Sequence, residues 1–132
     1  MIVADSSAWI ELFRKSGSPV HHRFRALLEG GADLAVTEVV VMELLAGARS
    51  ESADTIRTHL VAFPLLTLRG LDGFERAAEL FRTCRDAGET IRRTIDCLVA
   101  VPVIEAAATL LTADRDFEIL ARHTPLRLEP VA

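Results

Sequence analysis

The chain has 132 residues, of which 50% are hydrophobic and 26% charged; this composition predicts one globular domain over residues 1–132 and excludes a disordered chain. Its longest stretch without Asp, Glu, Lys or Arg has 11 residues, at 58–68, whereas a membrane-spanning helix needs about 20, so we expect no membrane partner. The N-terminus reads MIVAD, with no basic residue before the apolar run, and is unlike a secretory signal. We therefore expect a cytoplasmic protein.

The charge balance bears on the class of partner. With 15 basic and 19 acidic residues the net charge is −4, which ordinarily argues against nucleic-acid binding. If several acids are gathered into one metal site, however, the rest of the surface is close to neutral and the bound cation reverses the local charge. Cys84 and Cys97 form no CxxC pair, so we expect them to be small core residues rather than zinc ligands or a disulfide.

Hydrophobic periodicity and turn residues divide the chain into short strands and helices. Strands alternating with helices in this way predict the α/β class with a mainly parallel sheet, in which ligands bind beyond the carboxyl ends of the strands. In chain order we predict a strand at 1–4, a helix capped by Ser6 or Ser7, a helix at 20–29, a strand at 33–36, a helix at 37–47, a helix from Ser50 or Ser52 to 63, a strand at 64–68, helices at 71–87 and 94–106, a strand at 109–112, a helix at 114–123 and a strand at 126–128.

Acidic residues recur at this predicted edge of the sheet. Asp5 follows the first strand, Asp114 and Asp116 follow the fourth, and Glu43 lies on the helix after the second. Asp96 lies near the start of an apolar helix, where an unpaired charge is costly. Converging carboxylates need a counter-charge and suit Mg²⁺ or Mn²⁺. The chemistry that uses such a cluster is metal-assisted phosphodiester hydrolysis.

Each acid also has a purely structural interpretation. Asp5, Asp96 and Asp114 suit the start of a helix, Asp116 suits a first helical turn, and Glu43 suits a solvated helix face. Each interpretation is common for a single residue. Their occurrence together at one edge of one small domain favours a functional site.

The sequence resembles PIN-domain ribonucleases of the VapC toxin type, the toxic half of bacterial type II toxin–antitoxin pairs. The resemblance extends over nearly the whole chain, and its segments follow the family order. They are residues 2–10 (IVADSSAWI), 41–49 (VMELLAGAR), 90–100 (TIRRTIDCLVA) and 108–117 (ATLLTADRDF).

The resemblance implies a PIN-like α/β/α sandwich with a central, mainly parallel five-stranded sheet. It further implies a catalytic site made of five acids, namely Asp5, Asp96, Glu43, Asp114 and, nearby, Asp116. Of these, Asp5 and Asp96 are the implied direct ligands of Mg²⁺, for which Mn²⁺ can substitute. Ser6 and Thr112 would orient the acids or a metal-bound water.

The activity implied is that of a Mg²⁺-dependent endoribonuclease toxin that cuts tRNA or another structured RNA. Its expected partners are a VapB-type antitoxin and a second copy of the chain, in a homodimer and a toxin–antitoxin hetero-oligomer. Arg92 and Arg93 are candidates for binding RNA phosphates, with a solvated face balanced by Asp86 and Glu89 as the alternative.

Several other functions are less compatible with the sequence. A phosphoacceptor receiver domain needs a late lysine, whereas the single lysine is Lys15. P-loop and dinucleotide-binding domains need glycine motifs that the chain lacks. A non-catalytic PIN scaffold and a PIN nuclease acting on DNA or in RNA maturation stay open as alternatives.

Pro102 departs from the family pattern, because it falls inside the helix that carries Asp96. A proline there removes the hydrogen bond to the carbonyl of Leu98. We therefore expect the helix to kink or end early, with Asp96 unaffected more than a turn upstream.

Overall fold

A computed structural model describes residues 1–131 as a five-stranded sheet with seven helices. The strands are β1 (Ile2–Ala4), β2 (Leu34–Thr37), β3 (Leu65–Leu66), β4 (Thr109–Leu111) and β5 (Arg127–Leu128). The helices are α1 (Ser6–Arg14), α2 (Pro19–Glu29), α3 (Glu38–Gly47), α4 (Ser50–Leu60), α5 (Gly70–Asp86), α6 (Thr94–Glu105) and α7 (Asp116–His123).

The sheet is parallel throughout and has the order β3-β2-β1-β4-β5. Ile2 of β1 pairs with Leu34 on one side and with Thr109 on the other. The chain therefore winds outward from β1 in one direction through β2 and β3, and returns to build β4 and β5 on the other side. The carboxyl ends of β1 and β4 form the switch point of this topology, which is where open α/β sheets bind ligands.

The helices fall into two groups that follow from the winding. Helices α1 to α4 connect β1, β2 and β3, and α1 packs on α2 and α3. Helices α5 to α7 connect β3, β4 and β5, and they pack on one another. Since parallel crossovers are right-handed, reversing the winding direction puts the two groups on opposite faces of the sheet.

The core lies between the central strands and these helices. Val3, Leu110 and Leu111 are fully buried, as expected for strands covered on both faces. Helix α6 is apolar around most of its circumference, and Val101 and Val103 are buried with it. Among residues 1–131, no helix has the length and apolar character needed to cross a membrane.

The predicted fold class, element order and five-stranded sheet are confirmed. Strand β3 is shorter than predicted, and it lies at the sheet edge with only β2 as neighbour. Helix α1 is capped by Asp5 rather than by a serine. Cys84 and Cys97 are free and buried, as predicted.

Of the two outcomes expected at Pro102, a kink or an early end of α6, the early end is wrong, because the helix continues to Glu105. The ring removes one backbone hydrogen bond, but Pro102 lies in a fully packed stretch between buried Val101 and Val103. Burial of these apolar side chains stabilises the helix across the missing bond. Asp96, in the first turn, is not displaced from the site edge.

Candidate active site

A cleft of about 200 Å³ opens at the switch point between β1 and β4. It is lined by the four acids predicted to form the site, Asp5, Glu43, Asp96 and Asp114, together with Ser6, Ser7 and Arg93. Ile10, Val99 and Phe117 form its apolar wall. The structure thus brings together acids from four separate segments of the chain.

Asp5 follows β1 directly and is 3% exposed. Its Oδ1 accepts hydrogen bonds from Ser7 Oγ at 2.6 Å and from the Ala8 backbone N–H at 2.9 Å, and its Oδ2 accepts one from Thr112 Oγ1 at 2.7 Å. Burial raises the pKa of Asp5 to about 6, although these hydrogen bonds oppose the rise. Asp5 is therefore held in a fixed orientation by three hydrogen bonds.

Asp96 projects from the first turn of α6 and is 1% exposed. Its Oδ1 accepts a hydrogen bond from Arg93 Nη2 at 3.0 Å, whereas its Oδ2 is buried with no hydrogen-bond partner in the structure. Burial raises the pKa of Asp96, and the contact with Arg93 opposes that rise. An unsatisfied buried carboxylate oxygen is costly and therefore indicates a missing partner.

Glu43 reaches the cleft from α3. Its Oε1 accepts a hydrogen bond from Ser6 Oγ at 3.1 Å, and its Oε2 accepts one from Arg93 Nη2 at 3.2 Å. Arg93 thus bridges two site acids from different helices. Ser6 therefore contacts Glu43, the kind of contact that its predicted role of orienting an acid requires.

Asp114 and Asp116 lie in and after the loop that leaves β4. Thr112 Oγ1 accepts a hydrogen bond from the Asp114 backbone N–H at 2.9 Å, so one hydroxyl contacts Asp5 and also holds this loop. Asp114 Oδ1 accepts a hydrogen bond from the Asp116 backbone N–H at 2.9 Å. Asp116 Oδ2 accepts one from Arg92 Nε at 2.9 Å.

Three of the acids are close enough to share a cation. One carboxylate oxygen from each of Asp96, Asp114 and Asp116 lies within 4.8 Å of the others. These hard oxygen donors suit Mg²⁺ or Mn²⁺, and the unpartnered Oδ2 of Asp96 supplies a buried donor. The residues therefore fit a divalent cation, but the tightest acid group contains Asp116 rather than Asp5.

Ser7 is a site residue that the sequence analysis treated only as a possible helix cap. Its Oγ donates to Asp5, lies 3.2 Å from Thr112 Oγ1 and accepts a hydrogen bond from the Ala113 backbone N–H at 2.8 Å. It therefore ties the end of β1 to the loop after β4. The Asp-Ser-Ser sequence after the first strand was the available signal, since an aspartate side chain commonly accepts hydrogen bonds from residues that closely follow it.

This chain is similar to known proteins over nearly its full length. The PIN domain family matches residues 2–123. The VapC ribonuclease Mb1587 of Mycobacterium bovis and ribonuclease VapC11 of Mycobacterium tuberculosis are each 40% identical over 129 residues, which cover 96% of both chains. Among solved structures, VapBC2 from Rickettsia felis, bound to a promoter DNA fragment, superposes with a TM-score of 0.74 and 20% identity, covering 98% of each chain.

Proposed function

Because this chain belongs to the PIN-domain family and to its VapC ribonucleases, we propose that it is a divalent-metal-dependent endoribonuclease that acts as a toxin and is neutralised by a VapB-type antitoxin. The substrate is an RNA, with tRNA or another structured RNA as the proposed class. The protein acts in the cytoplasm, as a homodimer and in a hetero-oligomer with its antitoxin. The solved VapBC2 relative contains toxin and antitoxin together, which supports the proposed partner.

The observation that carries this proposal is the state of Asp96. Its carboxylate is buried, one oxygen is paired with Arg93, and the other has no hydrogen-bond partner and belongs to a cleft with Asp114. A cap or a surface acid would not require such an environment. A cation at this point would satisfy the free oxygen and offset the cost of burying the charge.

We propose Mg²⁺ as the cation, with Mn²⁺ as a substitute, held by Asp96 and Asp5 with Asp114 and Asp116 beside them. A carboxylate has about four acceptor positions, and the three hydrogen bonds to Asp5 leave one of them, on Oδ2, for a ligand. When bound, such a cation lowers the pKa of an attacking water and neutralises charge on the phosphate.

The remaining residues hold the site in place and contact the substrate. Ser7 and Thr112 fix the orientation of Asp5, and Ser6 fixes that of Glu43. Arg92 and Arg93 are the proposed phosphate-binding residues. Their side chains are 77% and 55% exposed, and they form ion pairs with Asp116 and with Glu43, respectively.

The test is cleavage of total RNA by the purified chain freed of antitoxin, with new 5′ ends mapped by sequencing. Mg²⁺, EDTA and the Asp96→Asn variant are compared with Asp54→Asn, which removes an exposed acid on α4. We expect discrete Mg²⁺-dependent cuts by the unaltered chain and by Asp54→Asn, and none by Asp96→Asn. Equal cleavage by folded Asp96→Asn, or cleavage that persists in EDTA, would contradict the proposed site.

A further inference from the structure

A second groove, of about 560 Å³, continues from the acidic cleft along α1. Ser7, Ile10 and Asp114 line both cavities, so the two are contiguous. Besides the residues that it shares with the cleft, the groove is lined by three arginines: Arg14 at the end of α1, and Arg92 and Arg115 beside Asp116. An extended ligand that lies in the cleft can therefore continue into this groove.

Helical spacing explains why α1 forms one side of the groove. Ser7, Ile10 and Arg14 recur at intervals of three and four residues and therefore share one face of the helix. Arg14 lies two turns beyond Ser7, which is on the order of 10 Å along the helix axis. This face leads from the hydroxyl that orients Asp5, past an apolar side chain, to an arginine.

Arg14 and Arg115 differ from Arg92, the third arginine that lines the groove. Both are exposed, and neither forms an ion pair within the part of the chain that the structure describes. Arg92, by contrast, is paired with Asp116, at 2.8 Å between Nη2 and Oδ2. Two guanidinium groups on one groove thus lack an acidic partner among residues 1–131.

Three acids line the groove, Glu11, Asp114 and Asp116. The two aspartates are assigned to the metal centre, which leaves Glu11. Against that one negative charge stand Arg14 and Arg115, so the groove residues outside the metal centre and the Arg92–Asp116 pair carry a net positive charge. Arginine offers a planar set of donors that suits phosphate oxygens. A polyanion is therefore the complementary occupant.

We propose that Arg14 and Arg115 bind backbone phosphates of the RNA strand flanking the scissile bond, in the groove that continues from the cleft. This inference rests on the proposed nuclease function, and it names the residues that hold the RNA strand along α1. Ile10 supplies an apolar surface for the intervening ribose or base. Neither arginine touches the reacting phosphate, so both are binding residues.

The test measures binding of a short fluorescein-labelled single-stranded RNA of mixed sequence by anisotropy, in Mg²⁺ and over a range of NaCl concentrations. All proteins carry Asp96→Asn, so that the RNA is not cut. Arg14→Gln, Arg115→Gln and the double variant are compared with Arg57→Gln, which removes an exposed arginine from the groove between α4 and β3.

We expect each groove variant to lower the slope of log affinity against log salt by about 0.7, the contribution of one phosphate contact to a single strand, whereas Arg57→Gln leaves it unchanged. A double variant that binds RNA like Arg57→Gln would overturn the proposal. Absence of any RNA binding by the Asp96→Asn parent would also overturn it. Cleavage of total RNA by the unaltered chain, measured in parallel, shows whether the nuclease function stands when this proposal fails.

Discussion

Arg93 donates a hydrogen bond to Asp96 Oδ1 at 3.0 Å and leaves Asp96 Oδ2 buried without a hydrogen-bond partner. The same guanidinium reaches Glu43, so it is the counter-charge of two acids in the metal-free cleft. It also occupies a carboxylate oxygen that a divalent cation could use. Arg93 and the cation should therefore compete for Asp96.

Arg93→Gln should tighten Mg²⁺ binding, because it removes a positive charge and frees an oxygen ligand. We expect a change of about 1 kcal/mol, or about fivefold, measured by titration calorimetry. Arg122→Gln is the matched control, since Arg122 pairs with Glu89 outside the cleft. Weaker Mg²⁺ binding by Arg93→Gln than by Arg122→Gln would show that Arg93 does not compete.

The raised pKa of Asp5 predicts how the free energy of unfolding depends on pH. Since burial raises the pKa from 3.8 to about 6, the folded chain favours the protonated form. The free energy of unfolding contributed by Asp5 is greatest below pH 4 and falls as the pH rises through 6, by about 3 kcal/mol in total. Urea unfolding in EDTA measures this loss.

The measured quantity is the difference in the free energy of unfolding between the unaltered chain and Asp5→Asn, in which contributions common to both proteins cancel. That difference should shift in favour of Asp5→Asn between pH 4 and pH 7, because the amide stays neutral. A difference that does not depend on pH would contradict the raised pKa.

Ser7→Ala should reduce RNA cleavage while leaving the fold intact. The hydroxyl holds Asp5 and the Ala113 backbone in register, and loss of a contact that orients a metal ligand typically costs about 10- to 100-fold in activity or metal affinity. Cleavage rates at saturating Mg²⁺ are compared with those of Ser16→Ala, a serine in the turn after α1. Equal rates for the two variants would remove Ser7 from the site.

Glu129 should contribute stability at neutral pH through contacts remote from the cleft. Burial tends to raise the pKa of Glu129, but hydrogen bonds from Arg23 and Thr109 outweigh it and leave the pKa below its usual range. Its stabilising contribution is therefore present above pH 4.5 and lost as the pH falls through the lowered pKa.

Glu129→Gln should accordingly lower the free energy of unfolding by about 1–2 kcal/mol at pH 7 and by less at pH 3. Denaturant titrations at the two pH values measure both effects. Glu29→Gln on α2 is the control, since Glu29 makes an exposed ion pair with Arg25. A loss equal to that of the control would assign Glu129 no special role.

The position of the acids followed from the sequence because parallel strands bring their carboxyl ends to one edge. Asp5 and Asp114 come after strands whose apolar residues identify them, so their proximity needed only the strand assignment. The arginine contacts were not predictable in this way. Arg93 and Glu43 are separated by 50 positions, and their contact depends on how α3 and α6 approach each other.

The continuation of α6 through Pro102 shows a second limit of sequence reasoning. Local preference alone favours a break there, because the ring removes a backbone donor. Burial of Val101 and Val103 is a tertiary effect and outweighs that preference. The short β3 has a different tertiary cause: it lies at the edge of the sheet and pairs with β2 through Leu65 and Leu66.

Titration calorimetry of Mg²⁺ into the metal-free chain tests the central claim most directly, namely that the acids around Asp96 hold the cation on which RNA cleavage depends. The account predicts a binding isotherm for the unaltered chain and for Asp54→Asn, and loss of that binding in folded Asp96→Asn. Equal Mg²⁺ affinity in Asp96→Asn and Asp54→Asn would contradict it.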